Sequence, residues 1–380
     1  MGEMVFKNAR IILADRVIEG SLKIHGRIIT QIDEGPCRVS GAIDCQGNFI
    51  CPGLIELHTD NVERHLSPRP NSIWPATSAI LNHDREIIGA GITTVFNALY
   101  VGNTRFSGRS HDHMVDACNA VATAKSAGNL KADHFLHLRC EVSESELLSD
   151  LTSLLTNSLS QLVYIMDHTP GQRQFVSLDA FKTYYQGKYN MSDAVFSSFV
   201  DEQVKAQKKY SATNRRLVVK QANDLGIRLA SHDDATLAHV EEAVADRVSI
   251  AEFPTTLEAA RASHNSGLAV LMGGPNIVRG KSHNGNASAR GFAKAGYLDI
   301  ISSDYVPASL LHACLTLENS VDTISMPEAI SMVTKTPAQH VGLTDRGEIS
   351  PGKLADLVVF TRREDVPVIS QVWREGVRVA

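Results

Sequence analysis

The chain has 380 residues, 43% of them hydrophobic and 21% charged, with a formal net charge of -5 at neutral pH. That length holds one large domain, or one large and one small, and the composition is that of a soluble globular enzyme. The net charge gives no global attraction to nucleic acid or to an anionic membrane, so an anionic substrate needs a local basic pocket.

The six cysteines form no CxxC pair, which suits reduced thiols. The N-terminus lacks the apolar core of a signal peptide and no apolar stretch reaches membrane-spanning length, so the expected location is cytoplasmic. Homo-oligomerisation is compatible with the sequence.

Residues 4–51 read as short strands: Met4–Phe6, Arg10–Leu13, Ser21–Ile24, Ile28–Ile32 and Ala42–Asp44, separated by Gly and polar pairs. So small an all-β piece gains by adding strands, and Asp356–Phe360 and Gln371–Trp373 near the C-terminus are candidates. The expectation is one small β-sandwich formed by both chain ends, residues 1–52 and 345–380.

Between them, residues 53–344 alternate apolar runs with helix-compatible stretches. The runs are Leu54–Leu57, Ile92–Phe96, Phe135–Cys140, Leu162–Met166, Ile227–Ala230, Val248–Phe253, Leu268–Met272 and Leu298–Ile301. Helices are expected over 76–89, 110–128, 143–159, 235–245 and 256–266. Eight such units point to an α/β fold, a parallel (β/α)8 TIM-like barrel. A doubly wound open sheet is the runner-up, but no GxGxxG follows the first strand and no GxxxxGK[ST] occurs. The segment 169–225 is too long for a connection and reads as an insertion over the barrel mouth.

In such a barrel the strand C-terminal ends carry the chemistry. The first run ends in His58 and Asp60, the second in Asn97, the third in Glu141 and the fourth in Asp167-His168. His232-Asp233-Asp234 follows the fifth, Glu252 ends the sixth, Gly273-Gly274-Pro275-Asn276 follows the seventh and Asp304 the eighth. A lone histidine among these would read as structural. Together, His58, Asp60, Glu141, His168, His232 and Asp304 form a mixed nitrogen and oxygen set without thiolate, which suits zinc, manganese or a similar divalent ion. The set exceeds what one four-coordinate ion needs, so two ions sharing a carboxylate are plausible.

Basic residues on three loops bear on the substrate. Arg64-His65 and Arg69 follow the first strand, Arg173 follows His168, and Arg279-Gly280-Lys281-Ser282-His283 follows the seventh strand. Singly, each is ordinary surface charge. Converging on one barrel face, Arg69, Arg173, Lys281 and His283 would clamp a small anionic phosphorylated substrate rather than a nucleic acid.

Pro52-Gly53-Leu54-Ile55-Glu56-Leu57-His58, the strand-end ligands, and Gly347-Glu348-Ile349 to Gly352-Lys353-Leu354-Ala355-Asp356-Leu357-Val358 resemble the amidohydrolase superfamily. The resemblance is strongest to its members in phosphonate catabolism. It runs through Leu136–Glu141, Met166–Phe175, Ala230–Thr236, Ile250–Thr256, Gly274–Gly280 and Ser302–Tyr305, nearly the whole chain. It implies a metal-bearing (β/α)8 barrel with a small β-sandwich, and hydrolysis of a phosphoric anhydride in a sugar triphosphate with release of pyrophosphate. The superfamily's usual first motif is His-x-His, whereas Asp60 takes the second place here.

The expected site has His58, Asp60 and Glu141 on one metal, Glu141, His168 and His232 on a second, and Asp304 as the catalytic base. Two rival expectations are a hydrolase or deaminase acting on a C–N bond, and a metal-free scaffold relative.

Overall fold

The computed structural model describes residues 2–69, 72–101, 111–171, 173, 182, 192–281 and 287–380. Two eight-stranded sheets organise it. The first begins with β1 (Glu3–Ile12), β2 (Val17–His25), β3 (Ile28–Glu34), β4 (Ile43–Asp44) and β5 (Phe49–Pro52). β1 runs through the expected break at residues 7–9. Asn8 takes φ +52° there and the β1–β2 register shifts between Phe6 and Ala9, a bulge that reads in sequence as two strands.

The barrel follows as β6 (Leu54–Thr59), β7 (Ile92–Val101), β8 (Asp133–Glu141), β9 (Ser160–Met166), β10 (Arg228–His232), β11 (Ile250–Glu252), β12 (Ala269–Gly273) and β13 (Ile300–Ser302). Neighbours along this order pair in parallel. Asp304, just past β13, closes the ring on β6: its N–H donates to His58 O and its carbonyl accepts from Asp60 N, each at 3.1 Å. Such strands are buried on both faces, which is why they read as continuous apolar runs. Inside the ring Leu57, Phe96, Phe135, Leu162, Met166, Ile250 and Leu271 form a packed core, not a pore.

Helices cover the outside. α1 (Asn61–Leu66) and α2 (Ala76–Gly89) follow β6, α3 (His111–Ser126) follows β7 and α4 (Leu147–Leu155) follows β8. α5 (Asp193–Asp224) precedes β10, α6 (Leu237–Ala245) precedes β11 and α7 (Leu257–Asn265) precedes β12. Thr236 and Thr256 start the last two, each accepting a hydrogen bond from a first-turn N–H, which satisfies a donor the helix cannot. α8 (Gly274–Arg279) and α9 (Ala289–Lys294) follow β12; α10 (Ser309–Ser320), α11 (Met326–Ser331) and α12 (Lys335–His340) follow Asp304. No helix among the described residues is long and apolar enough to cross a membrane.

β14 (Leu357–Arg363), β15 (Val366–Arg374) and β16 (Val377–Arg378) complete the first sheet. β14 lies antiparallel to β5, so strands from both chain ends share that sheet, and the α/β fold with a TIM-like barrel is as expected. Of the expected insertion 169–225, residues 172, 174–181 and 183–191 lie outside the described residues. Its helix α5 is tied to the barrel by Asn214, whose amide donates to Val142 O and Glu144 O.

Candidate metal centre

The barrel mouth is built by bringing strand-end residues from non-adjacent parts of the chain onto one ring. The β6–β7 register shifts between Glu56 and Thr59. A shift of that kind re-aims a side chain, and His58 lies among residues of the barrel interior. Its ring stands 5.4 Å from Tyr164 and 6.2 Å from His232, all three nearly parallel. Beneath it Glu56, fully buried, accepts from the backbone N–H of His58 at 2.7 Å and from that of Ser303, bracing β6 against the end of β13.

Three groups of nitrogen and oxygen donors converge among the described residues: His58, His137 and Glu252; His168, His232 and Asp233; and His58, Asp60 and Asp304. His58 belongs to two of them through different ring nitrogens. Nδ1 lies 2.9 Å from Glu252 Oε2, whereas Nε2 lies 3.7 Å from Asp60 Oδ1. In the remaining group His232 Nε2 is 3.2 Å and His168 Nε2 3.9 Å from Asp233 Oδ2. Asp233 and Asp304 both take left-handed backbone angles, φ +55° and +53°, unusual for residues other than glycine.

Whether these residues suit a metal can be judged from their unmet hydrogen bonds. His137 Nε2, His232 Nδ1, Asp233 Oδ2 and Glu252 Oε1 are buried without a hydrogen-bond partner. Buried polar atoms are normally paired, and an imidazole and carboxylate set left open in this way fits a divalent cation. Burial also keeps two of these histidines neutral, as a metal requires: it drives His58 well below the usual imidazole range and His137 down to about 3. Burial, then the charge of Asp60, pushes the Asp304 carboxyl up to about 7.

The residues expected from sequence fall into different surroundings. His58, Asp60 and Asp304 come together, as do His168 and His232. Glu141 is in none of the three groups. It accepts instead from His168 Nδ1 at 2.9 Å, from His168 N and from Ser143 Oγ, the place of a carboxylate that orients a ligand. Burial opposes the His168 imidazolium, but the hydrogen bond and charge of Glu141 outweigh it and raise that pKa.

Of the four expected substrate contacts, Arg173 is buried against carboxylates, pairing with Asp234 and, at 2.9 Å, with Glu242, while donating to His232 O. Arg69 and Lys281 are exposed, and His283 lies outside the described residues.

Four residues of the centre were not among the expected site residues: His137, Arg139, Asp233 and Glu252. Arg139 donates to Asp60 and to the Tyr164 hydroxyl, placing a partly buried cation beside the donor cluster. The signal was available, since His137, Arg139 and Glu141 alternate along β8 and so share one face.

Comparison with known proteins gives the same architecture. A family profile described as "Amidohydrolase family" matches residues 85–380. The α-D-ribose 1-methylphosphonate 5-triphosphate diphosphatase of Escherichia coli (strain K12) is 43% identical over 377 residues, covering 99% of this chain and 100% of that one. Among solved structures, 5-methylcytosine deaminase from Klebsiella pneumoniae superposes with a TM-score of 0.67 at 16% identity, covering 99% of this chain and 98% of the other. N-acetylglucosamine-6-phosphate deacetylase from Pasteurella multocida gives 0.66 at 14%, covering both chains fully. The two structural likenesses bear on the fold alone.

Proposed function

The chain belongs to the amidohydrolase family, and on that premise we propose that it hydrolyses α-D-ribose 1-methylphosphonate 5-triphosphate to 5-phosphoribosyl 1-methylphosphonate and pyrophosphate. The full-length identity to the diphosphatase carries this reading. The enzyme is a phosphoric anhydride hydrolase of phosphonate catabolism, and its expected place is the cytoplasm, in keeping with six free cysteines.

Two divalent ions, zinc for so imidazole-rich a set, would complete the site. His58 would hold one, together with residues of the two donor groups it belongs to, Asp60 and Asp304 or His137 and Glu252. His168, His232 and Asp233 would hold the second, with Glu141 orienting His168. When bound, the ions supply Lewis-acid charge for phosphoryl oxygens and lower the pKa of water. Water attacks the α-phosphorus in line with departing pyrophosphate, and Asp304 accepts its proton. Asp304 is fixed for that task by its two backbone bonds to β6. Arg69 and Lys281, exposed on loops, and His283 are proposed to meet the polyphosphate.

Phosphorus NMR of zinc-loaded enzyme with the triphosphate tests the reading. Pyrophosphate with a 5-monophosphate is the expected outcome. Orthophosphate with a 5-diphosphate would move attack to the terminal phosphorus, and an unchanged spectrum would sink the reading in favour of C–N bond hydrolysis.

A further inference from the structure

Asp60 stands at the N-cap of α1 but does not cap it. Its backbone angles, φ −83° and ψ 4°, are not the extended ones of a capping residue, and its side chain accepts no first-turn N–H. That side chain faces Arg139 and His58 instead. The start of α1 is held by Asn61, whose Nδ2 donates to Glu86 Oε2 at 3.1 Å and to His83 Nδ1 at 3.0 Å, both on α2.

The bonds beyond His83 follow from which atoms can donate. Asn97 Nδ2 donates to the carbonyl of Phe135 at 2.8 Å, so Asn97 Oδ1 is the atom that accepts from His83 Nε2, at 2.9 Å. Asp84 accepts from Lys131 N and Ala132 N, and takes the Nε2 proton of His134 at 3.0 Å. His134 Nδ1 is then left to accept from Asn97 Nδ2 at 3.2 Å. Burial lowers both imidazole pKa values, that of His83 to about 3, so each ring carries a single proton, on Nε2. A buried chain of donors and acceptors thus joins two carboxylates, Glu86 and Asp84, between α2 and strands β7 and β8. Of its buried side-chain atoms only Asn61 Oδ1 has no partner. So connected a network in a dry layer is rigid. Asn97, at a strand end in sequence, serves this layer and not the mouth.

We propose that His83 is a positioning residue of the centre: through Asn61 it holds the start of α1 in place of the missing cap and leaves Asp60 free to face Arg139 and His58. The proposal rests on the reading of the barrel mouth as the catalytic centre.

Crystal structures of His83→Leu and Glu86→Ala test it without metal or substrate, so failure of the proposed reaction would leave the result standing. Glu86→Ala cuts the chain at its outer, partly exposed end and keeps the test open should His83→Leu not fold. With the chain cut, Asp60 is expected to leave Arg139 and to cap α1, its carboxylate accepting from a first-turn N–H. Asp60 still on Arg139 in every variant that folds would overturn the proposal. Pyrophosphate release gives a second readout. Glu86→Ala should lower kcat roughly 10–100-fold with KM near the wild-type value. Ile87→Ala, which opens a cavity on the buried face of the same helix, should lose stability and keep kcat. An equal fall in kcat for Ile87→Ala would show that the network does no more than stabilise α2, and would also overturn the proposal.

Discussion

Arg173 shows how residue type and residue role can part. As an arginine on a glycine-flanked loop after His168 it reads as a phosphate contact, yet its guanidinium is buried against Asp234 and Glu242 and donates to the carbonyl of His232. Its work is to hold the end of β10, where His232 and Asp233 sit. Arg173→Met would leave Asp234 buried without its counter-charge, and stability should fall by about 3 kcal/mol. Adding Asp234→Asn to that variant should recover much of the loss, a coupling that denaturant titration of the four proteins measures. If Arg173→Met instead raised KM with stability untouched, the residue would return to the substrate. For Asp304→Asn, turnover should drop on the order of 10²–10⁴-fold with metal content kept, measured by pyrophosphate release and metal analysis. The ends of strands were legible in sequence as the place of the chemistry, because histidines and carboxylates gather there. His137 was not, because it sits inside β8, where an apolar run hides one polar residue facing the core, whereas Glu252 ends β11 and was read as a strand end without being placed in the site.

At the scale of elements, the apolar runs marked all eight barrel strands, and the helix expected over 76–89 is α2 with those bounds. What sequence could not give was closure. The seam between β6 and the end of β13 rests on backbone bonds of Asp304 and on Glu56, a carboxylate lodged in a run otherwise read as apolar. Partners some 250 positions apart in sequence leave no local signature. Glu56 accepts two backbone N–H groups that have no water to turn to. Glu56→Ala should therefore lower stability by roughly 2–5 kcal/mol, since both donors are stranded. Hydrogen exchange should locate the loss, with faster exchange at His58 and Ser303 than in β8 and β9. Uniform acceleration over the whole barrel would show that Glu56 is not specific to the seam.

The molecule as a whole depends on the junction between the two sheets, where the chain passes from β5 into β6 and back again before β14. Gly53 N–H donates to the carbonyl of Asp356 at 2.7 Å across that junction. Any side chain at position 53 would meet Thr93 Oγ1 at 2.1 Å, so the close approach requires glycine. The Asp356 carboxylate is buried there, accepting from Glu375 N at 2.7 Å with its second oxygen unpartnered. Burial, only partly offset by that hydrogen bond and by Arg346 and Arg374, raises its pKa to about 6. The folded-state value lies above the unfolded one, so the folded state holds this proton more tightly. Its contribution is fully present below about pH 4 and is lost as pH rises through about 6. Asp356→Asn keeps an oxygen for Glu375 N–H and removes the titration. The variant should therefore gain on the wild type as pH rises, by on the order of 2 kcal/mol between about pH 4 and about pH 8. Denaturant midpoints of both proteins across that range measure the difference, and a gap that stays constant with pH would show that Asp356 titrates in the folded protein as it does in the unfolded chain.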